Sequence, residues 1–482
     1  MAVASLPGAT ASFDMNELLI RRRALLLGAG ALALPSWAAT PTSVDTDVVF
    51  LAELERRTFD YFWDTTPANG LAPDRWPSES FCSIAAVGFA MTAYIIGAER
   101  GYVTRQAARN RVLTTLKFFR DAPQGDGRQG FAGYRGFFYH FLDARTGTRF
   151  KDVELSTVDT ALLLAGMLAC QSYFDAATPE EMQLRDMVDE IYGRVDWAWA
   201  MPRKPLISHG WHPEGGFIPW DWRAYDESLL VYVLALGSPT RPQGRDSYDA
   251  WASGLPEAWG SEWGQTFARF PPLFGHQFTQ CWLDLRGMPD AFMASKGIDY
   301  FENSRRATLA QRTYATVNPK GWRDYGPDCW GITASDGPAD VTRVVDGRQR
   351  EFHSYAGRGV GGRVWDDGTL APYGAGSSIV FTPEESTRAM LYMRDRFGEN
   401  VYGRYGFVDA FNTSFQLTDV KLDKGKVVPG LGWFDTDRIG IDQGPLLAML
   451  SNHRKETVWK ATRRNAHIKR GLLTAGFKGG WL

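Results

Sequence analysis

The chain has 482 residues, 44% hydrophobic and 22% charged, with a formal net charge of −2. That mix supports a buried core and excludes disorder, collagen and coiled coil, and the lack of a positive excess argues against a nucleic-acid protein. Cys82, Cys170, Cys281 and Cys329 are dispersed without a C-x-x-C pair, so neither a zinc site nor a disulfide framework is expected, whereas 18 Trp, 18 Tyr and 29 Phe stand out, their flat faces suiting the C–H faces of sugar rings.

The N-terminus has the pattern of an export signal. Arg21, Arg22 and Arg23 precede the apolar run Ala24 to Leu34, and the small residues Ser36, Ala38 and Ala39 follow. Arg22-Arg23-Ala24-Leu25-Leu26 resembles a bacterial twin-arginine signal, and Met15 is a plausible true start. The apolar run is short for a membrane span, which needs about 20 residues. Residues 1–39 are therefore expected to be a cleaved signal segment. Residues 40–482 would then form a single domain in the periplasm or the medium, with no stable membrane insertion.

Helical spacing begins at Phe50, Leu51, Leu54, Thr58, Tyr61 and Phe62. The uncharged stretch 80–98 is long enough to cross a bilayer, but its many small residues fit an inner helix of a large helical protein. Further helices are expected near 104–120, 156–175, 178–195, 227–236, 272–286, 297–316, 383–397, 440–452 and 455–471, with one or two more near 245–262. Short hairpins are expected in 403–420 and 426–434. Segment 321–380, rich in Gly, Asp and Pro, reads as a long functional loop. About a dozen helices in one domain suggest an all-α toroid of paired helices with long loops and minor β-hairpins. The basic stretch from Arg454 to Arg470 reads as a solvated helix face.

Three acidic constellations could carry chemistry. In Glu154-Leu-Ser-Thr-Val-Asp159, Ser156 or Thr157 looks like a helix N-cap, and Ser156-x-x-Asp159 also imitates a capping box, a purely local role. In Trp220-Asp-Trp-Arg-Ala-Tyr-Asp226-Glu227, Asp226 is a plausible N-cap that would start the helix at Glu227. Trp211, Trp220, Trp222 and Tyr225 crowd that approach, and a carboxyl against aromatic walls has the raised pKa that a general acid requires. In the third, Asp409 lies among aromatics in Tyr405-Gly-Phe-Val-Asp-Ala-Phe-Asn412, and Asp442 precedes a helix in Ile441-Asp-Gln-Gly-Pro445. Paired carboxylates are the machinery of glycoside hydrolysis. No G-x-S-x-G, P-loop or H-E-x-x-H is present. The seven histidines form no tight ligand cluster, and His209-Gly-Trp-His212 reads as loop hydrogen bonding.

Several stretches resemble the glycoamylase-like glycoside hydrolases, the group that contains bacterial β-1,2-glucanases (glycoside hydrolase family 144). They include Gly70-Leu-Ala-Pro-Asp-Arg75, Ser83-Ile-Ala-Ala-Val-Gly-Phe89, Asn318-Pro-Lys-Gly-Trp322, Cys329-Trp-Gly-Ile-Thr-Ala-Ser-Asp-Gly337, Tyr405–Asn412 and Ile441–Pro445. The likeness runs from about 50 to 460. It implies an (α/α)6 barrel that hydrolyses a β-glucan, β-1,2-glucan foremost, by an inverting mechanism without metal or cofactor. It also implies an oligo- or polysaccharide as partner; no nucleic-acid partner is expected from the charge balance, and the chain is expected to be a monomer.

Carried over position by position, the family's general acid matches Glu227, with Asp226 where the family has asparagine. Asp409 matches the acid of the Asp-Ala-Phe-Asn motif and is the expected base. The family's Asp-x-x-Glu-Thr-Ala becomes Ser156-Thr-Val-Asp159-Thr-Ala, so one acid is a serine and the other is shortened. Glu154 and Asp159 are expected to orient the sugar or take the base role. Trp211, Trp222, Tyr225, Asp226, Trp322, Trp330 and Asp442 are expected substrate contacts, the tryptophans as stacking platforms. The 321–380 segment would close one side of the cleft. A transglycosylase, a polysaccharide lyase and a non-catalytic glycan-binding protein are the other readings of this pattern.

Overall fold

The structure, a computed structural model, describes residues 43–361 and 364–482, so the expected signal segment 1–39 lies outside the described residues. The helices divide by burial. Ile84–Glu99, Thr157–Tyr173, Leu229–Gly237, Phe274–Trp282 and Gly440–Lys455 are buried along most of their length. Ser43–Thr65, Arg105–Asp121, Pro179–Gly193, Tyr300–Val317 and Pro383–Phe397 bury one stripe and hold charged residues outside, the pattern of covering helices. Ile84–Glu99 packs between Thr157–Tyr173 and Gly440–Lys455, with Ser43–Thr65 and Arg105–Asp121 against it. No described helix is long and apolar enough to cross a membrane.

Small residues set the closest helix approach. A Cβ on Gly88 would lie 2.4 Å from the Leu162 carbonyl oxygen and 2.8 Å from Leu163 Cα, and Gly166 faces the Gly88 backbone in the same way. Backbone cannot yield as a flexible side chain can. Gly88→Ala is expected to destabilise the fold by about 1–3 kcal/mol through overpacking, read as a lowered denaturant midpoint; an unchanged midpoint would show that the two helices separate freely.

Three expectations differ from the structure. Segment 321–380 is not a structureless loop. It holds the hairpin Val341–Val345 with Arg348–Phe352, the paired strands Ala334–Ser335 and Ala356–Gly357, and the helix Pro372–Gly376. The hairpin is exposed on both faces over most of its length, so its sequence lacks the alternation that marks a half-buried strand. Its turn, Asp346-Gly347, has positive φ at both residues, as the type I′ class of two-residue hairpin turn requires. The expected helix 455–471 breaks into Thr457–Thr462 and Ala466–Ala475, the second capped by the Asn465 side chain. The basic stretch there is not simply solvated, because Arg454 reaches the fully buried Glu55 at 2.8 Å and Arg463 pairs with Asp284.

Two small sheets position the acids. A five-stranded sheet runs in the order Gly133–Tyr134, Phe137–Tyr139, Leu155–Ser156, Gly210–His212, Gly216–Phe217. Pairing of Phe138 with Ser156 brings His140 beside Glu154, whose carbonyl accepts the His140 N–H at 3.0 Å. Hairpins expected in 403–420 and 426–434 are present. Phe411–Asn412 pairs with Gly432–Phe434, which sets Asp409 beside Asp435 and Asp437.

Candidate active site

A cavity of about 470 Å³ opens where the first turns of the buried helices converge. Ser83, Val158, Asp159, Phe274, Tyr373, Ile441 and Asp442 all lie at such helix starts and line it. Helix N-termini carry partial positive charge, so acids placed there face the cavity without opposing the helix. Segment 321–380 does close one side, through Ala334, Tyr355 and Tyr373.

Glu227 is in the wall, but not as the first residue of a helix. The helix is Leu229–Gly237, and Asp226 accepts from the Ser228 backbone N–H at 2.9 Å rather than capping further on. Glu227 thus sits in the preceding turn, where its Oε2 has no protein partner. Burial, then the neighbouring Asp226, then Asp159, push its pKa well above the carboxyl range. That shift favours its acid form. Asp226 is itself raised to about 7 by burial.

Asp159, Glu154 and His140 form a second group. Ser156 caps the Thr157–Tyr173 helix by accepting from the Asp159 N–H at 3.2 Å, and its hydroxyl donates to Asp159 Oδ2 at 2.5 Å. His140 Nδ1 lies 2.7 Å from Glu154 Oε1, and its Nε2 lies 3.6 Å from Asp159 Oδ2. Burial disfavours the imidazolium, but Asp159 and Glu154 outweigh it and lift the His140 pKa to about 9. Burial likewise opposes ionisation of Glu154, yet His140 lowers its pKa. Asp159 is raised by burial, with His140 pulling the other way.

Across the cavity, Asp442 is in the wall and Asp409 stands behind it, fully buried. Asp409 Oδ2 accepts from the Asp336 N–H at 2.8 Å, while Asp409 Oδ1 and Asp442 Oδ2 have no donor. Burial and Asp442 raise the Asp409 pKa well above its usual range, and burial lifts Asp442 to about 7. Two adjacent buried carboxyls cannot both ionise cheaply, which favours a proton on the pair. Arg75, also in the wall, donates to Asp336 Oδ2 at 2.6 Å. Among the described residues, two groups have the spacing of metal ligands: His140, Glu154 and Asp159, and Asp336, Asp409 and Asp435. In the first, the imidazole is already bonded to Glu154.

The structure corrects the expected stacking platforms. Trp330 is fully enclosed and Trp322 is 4% exposed, with the Arg350 guanidinium over its ring at 4.0 Å. Trp222 is buried, donates to Thr157 Oγ1 and stacks on His209. Tyr225 is buried against Tyr300. Trp211 packs with Tyr134 and Trp199 outside the cavity. A ring enclosed by protein offers no face to a sugar. The cavity's own aromatics are Phe81, Phe141, Phe274, Phe278, Tyr355 and Tyr373, and Tyr355 is 52% exposed.

Sequence reasoning named Glu227, Asp159, Asp442 and, one layer back, Asp409 and Glu154. It missed His140, Tyr355, Asp74 and Arg75 as cavity-wall residues. The last two lie in the Gly70–Arg75 motif, a signal that was available. His140 gave none, because its partner is 14 residues away and meets it only through sheet register.

A family model described as a putative glucoamylase matches residues 219–466. An exo β-1,2-glucooligosaccharide sophorohydrolase (non-reducing end) of Parabacteroides distasonis is 26% identical over 460 residues, covering 89% of this chain; the chain spans only 58% of that relative's length. The solved structure of a putative glucoamylase from Bacteroides fragilis superposes with a TM-score of 0.77 at 30% identity, over 92% of this chain and 100% of the other. An endo-β-1,2-glucanase from Chitinophaga pinensis, in complex with sophorotriose and glucose, gives 0.77 at 26% identity, over 90% and 99%.

Proposed function

The chain belongs to the putative glucoamylase family, and from that premise we propose that it hydrolyses β-1,2-linked glucan or its oligosaccharides. The observation that carries this is Glu227, a buried carboxyl at the cavity wall whose Oε2 has no protein partner, facing a cavity that also presents Asp442 with Asp409 behind it. In this reading Glu227 donates its proton to the leaving glycosidic oxygen. The Asp442–Asp409 pair, sharing one proton, retains a negative charge and accepts a proton from the attacking water. Expected as the base by itself, Asp409 acts here through Asp442, since it is closed off from the cavity. Separate acid and base acting on opposite faces of the sugar invert the anomeric centre. Phe81, Phe141 and Tyr355 offer ring faces to the sugar.

The scaffold is read as an (α/α)6 barrel spanning 40–482, with the buried helices as its inner ring and the amphipathic ones outside. Likeness to β-1,2-glucan hydrolases supports the substrate. The arginine-led segment at 21–39 supports export, hence a periplasmic or secreted chain. The test is purified chain incubated with β-1,2-, β-1,3-, β-1,4- and α-1,4-glucans and their oligosaccharides. Shorter products from the β-1,2 series alone are expected. Release from another linkage alone overturns the substrate, and products longer than the starting oligosaccharide would mark a transglycosylase.

A further inference from the structure

A glucan longer than the cavity has to continue beyond it, and one wall of the cavity runs on to the surface. Phe81 and Phe141 are in that wall, both half-buried. Ser83 pairs with Phe141, and the Phe150 N–H donates to the Phe141 carbonyl at 3.0 Å, so backbone pairing gathers three phenylalanines from three segments. Their ring centroids step from Phe141 to Phe81 at 4.2 Å and from Phe81 to Phe150 at 4.6 Å. Phe150 lies one ring beyond the cavity lining, and the Lys151 ammonium sits over it at 5.0 Å. The column therefore leads from the cavity to an exposed turn.

That turn is built firmly. Lys151 has a φ of 50°, in the left-handed region, which a residue other than glycine keeps only where its surroundings impose it. The Val153 N–H closes the turn onto the Phe150 carbonyl at 3.4 Å. Arg149, its side chain 1% exposed, donates from Nε to the Val153 carbonyl at 2.7 Å and grips Glu214 through Nη1 at 2.7 Å and Nη2 at 3.0 Å. Lys151 and Asp152 are thus held out to solvent from a turn that is tied to a second segment. Two hollows of about 730 and 610 Å³ open there, and Asp152 and Glu214 line both. The lining of the larger has three basic and three acidic side chains. Balanced signs suit a neutral ligand rich in hydroxyls, which accept from an ammonium and donate to a carboxylate.

We propose that Lys151 and Asp152 form an outer sugar subsite, which grips a β-1,2-glucan chain as it leaves the cavity along the Phe141–Phe81–Phe150 wall and so favours long chains over short ones. The subsite rests on reading the cavity as the place of β-1,2-glucan hydrolysis. Short oligosaccharides end inside the cavity and do not reach the turn. Neither side chain touches the reacting atoms, so the subsite adds binding without altering the chemical step, and its loss is read in KM.

The test follows kcat and KM over a series of β-1,2-gluco-oligosaccharides, from the shortest that is cleaved to polymer. With the unsubstituted chain, kcat/KM should rise with length. In Lys151→Ala and in Asp152→Ala, the ratio of kcat/KM on polymer to that on the shortest substrate should fall by about tenfold, the usual worth of a hydrogen bond to a charged group. KM on polymer should carry the change. Lys151→Gly, which removes the side chain and eases the left-handed turn, should lose the same preference. Calorimetry in a Glu227→Gln background should show the loss of affinity for polymer without turnover. An unchanged ratio, a loss equal at every length, or a loss carried by kcat alone overturns the subsite and leaves the hydrolase reading standing. No cleavage of any β-1,2-glucan by the unsubstituted chain overturns the reading on which the subsite rests.

Discussion

Glu227→Gln lowers kcat on β-1,2-gluco-oligosaccharides by about 10²–10⁴-fold, the usual contribution of a positioned general acid, while thermal unfolding stays close to that of the unsubstituted chain. Glutamine has nearly the same shape but no transferable carboxyl proton. Glu227 Oε2 takes no protein hydrogen bond, so the exchange strands no partner. The pH profile adds a second readout. Burial, with Asp226 and Asp159 beside it, raises the Glu227 pKa well above the carboxyl range. Activity should therefore persist above pH 5 and fall only as pH rises through that raised value. An alkaline limb within the ordinary carboxyl range, near 4.3, or near-full activity in Glu227→Gln, would remove the assignment.

Asp367→Asn should cost about 3–5 kcal/mol of stability, the usual penalty for breaking a buried ion pair from one side. Arg358 and Asp367 are both fully buried and joined by two parallel bonds, Nε to Oδ1 at 2.8 Å and Nη2 to Oδ2 at 2.9 Å. The same guanidinium donates to the carbonyls of Ser335, His353 and Ser354. It thereby pins both flanks of the segment that carries Tyr355 into the cavity. Asparagine leaves the guanidinium charge buried and unpaired. Burial works against the Asp367 carboxylate, but Arg358 outweighs it and lowers its pKa. Its stabilising contribution is therefore present above the ordinary carboxyl range and is lost as pH falls through the lowered value. The denaturant midpoint at pH 7 should drop, and the gap between variant and parent should narrow in acid. A midpoint within 1 kcal/mol of the parent would show that water reaches Arg358. Because Tyr355 loses its support, KM should rise in any variant that folds.

What could be read from residue order alone follows from local physics. Amphipathic spacing marked most of the helices, since a 3.6-residue period shows in the chain whatever packs against it. The acids Glu227, Asp159 and Asp442 were legible because each stands in the first turn of a buried helix or just before one, where an acid beside a buried run is unusual. The tryptophans misled for a related reason. Trp322 and Trp330 sit in a glycine-rich segment that lacks periodicity, which hides the fact that it folds over them and takes them into the core.

Residue order by itself determined a helix-rich fold and the acids that stand at its helix starts, because hydrophobic period, helix starts and motif composition are properties of neighbouring residues. Only the tertiary structure decided which groups share the cavity. His140 meets Glu154 through strand register, Asp409 retreats behind Asp442 through the pairing of Phe411 with Phe434, and Arg75 meets Asp336 across 261 residues. The pKa shifts that set these carboxyls apart belong to those encounters. They arise from burial and from charges a few ångströms away, and neither quantity is a function of distance along the chain.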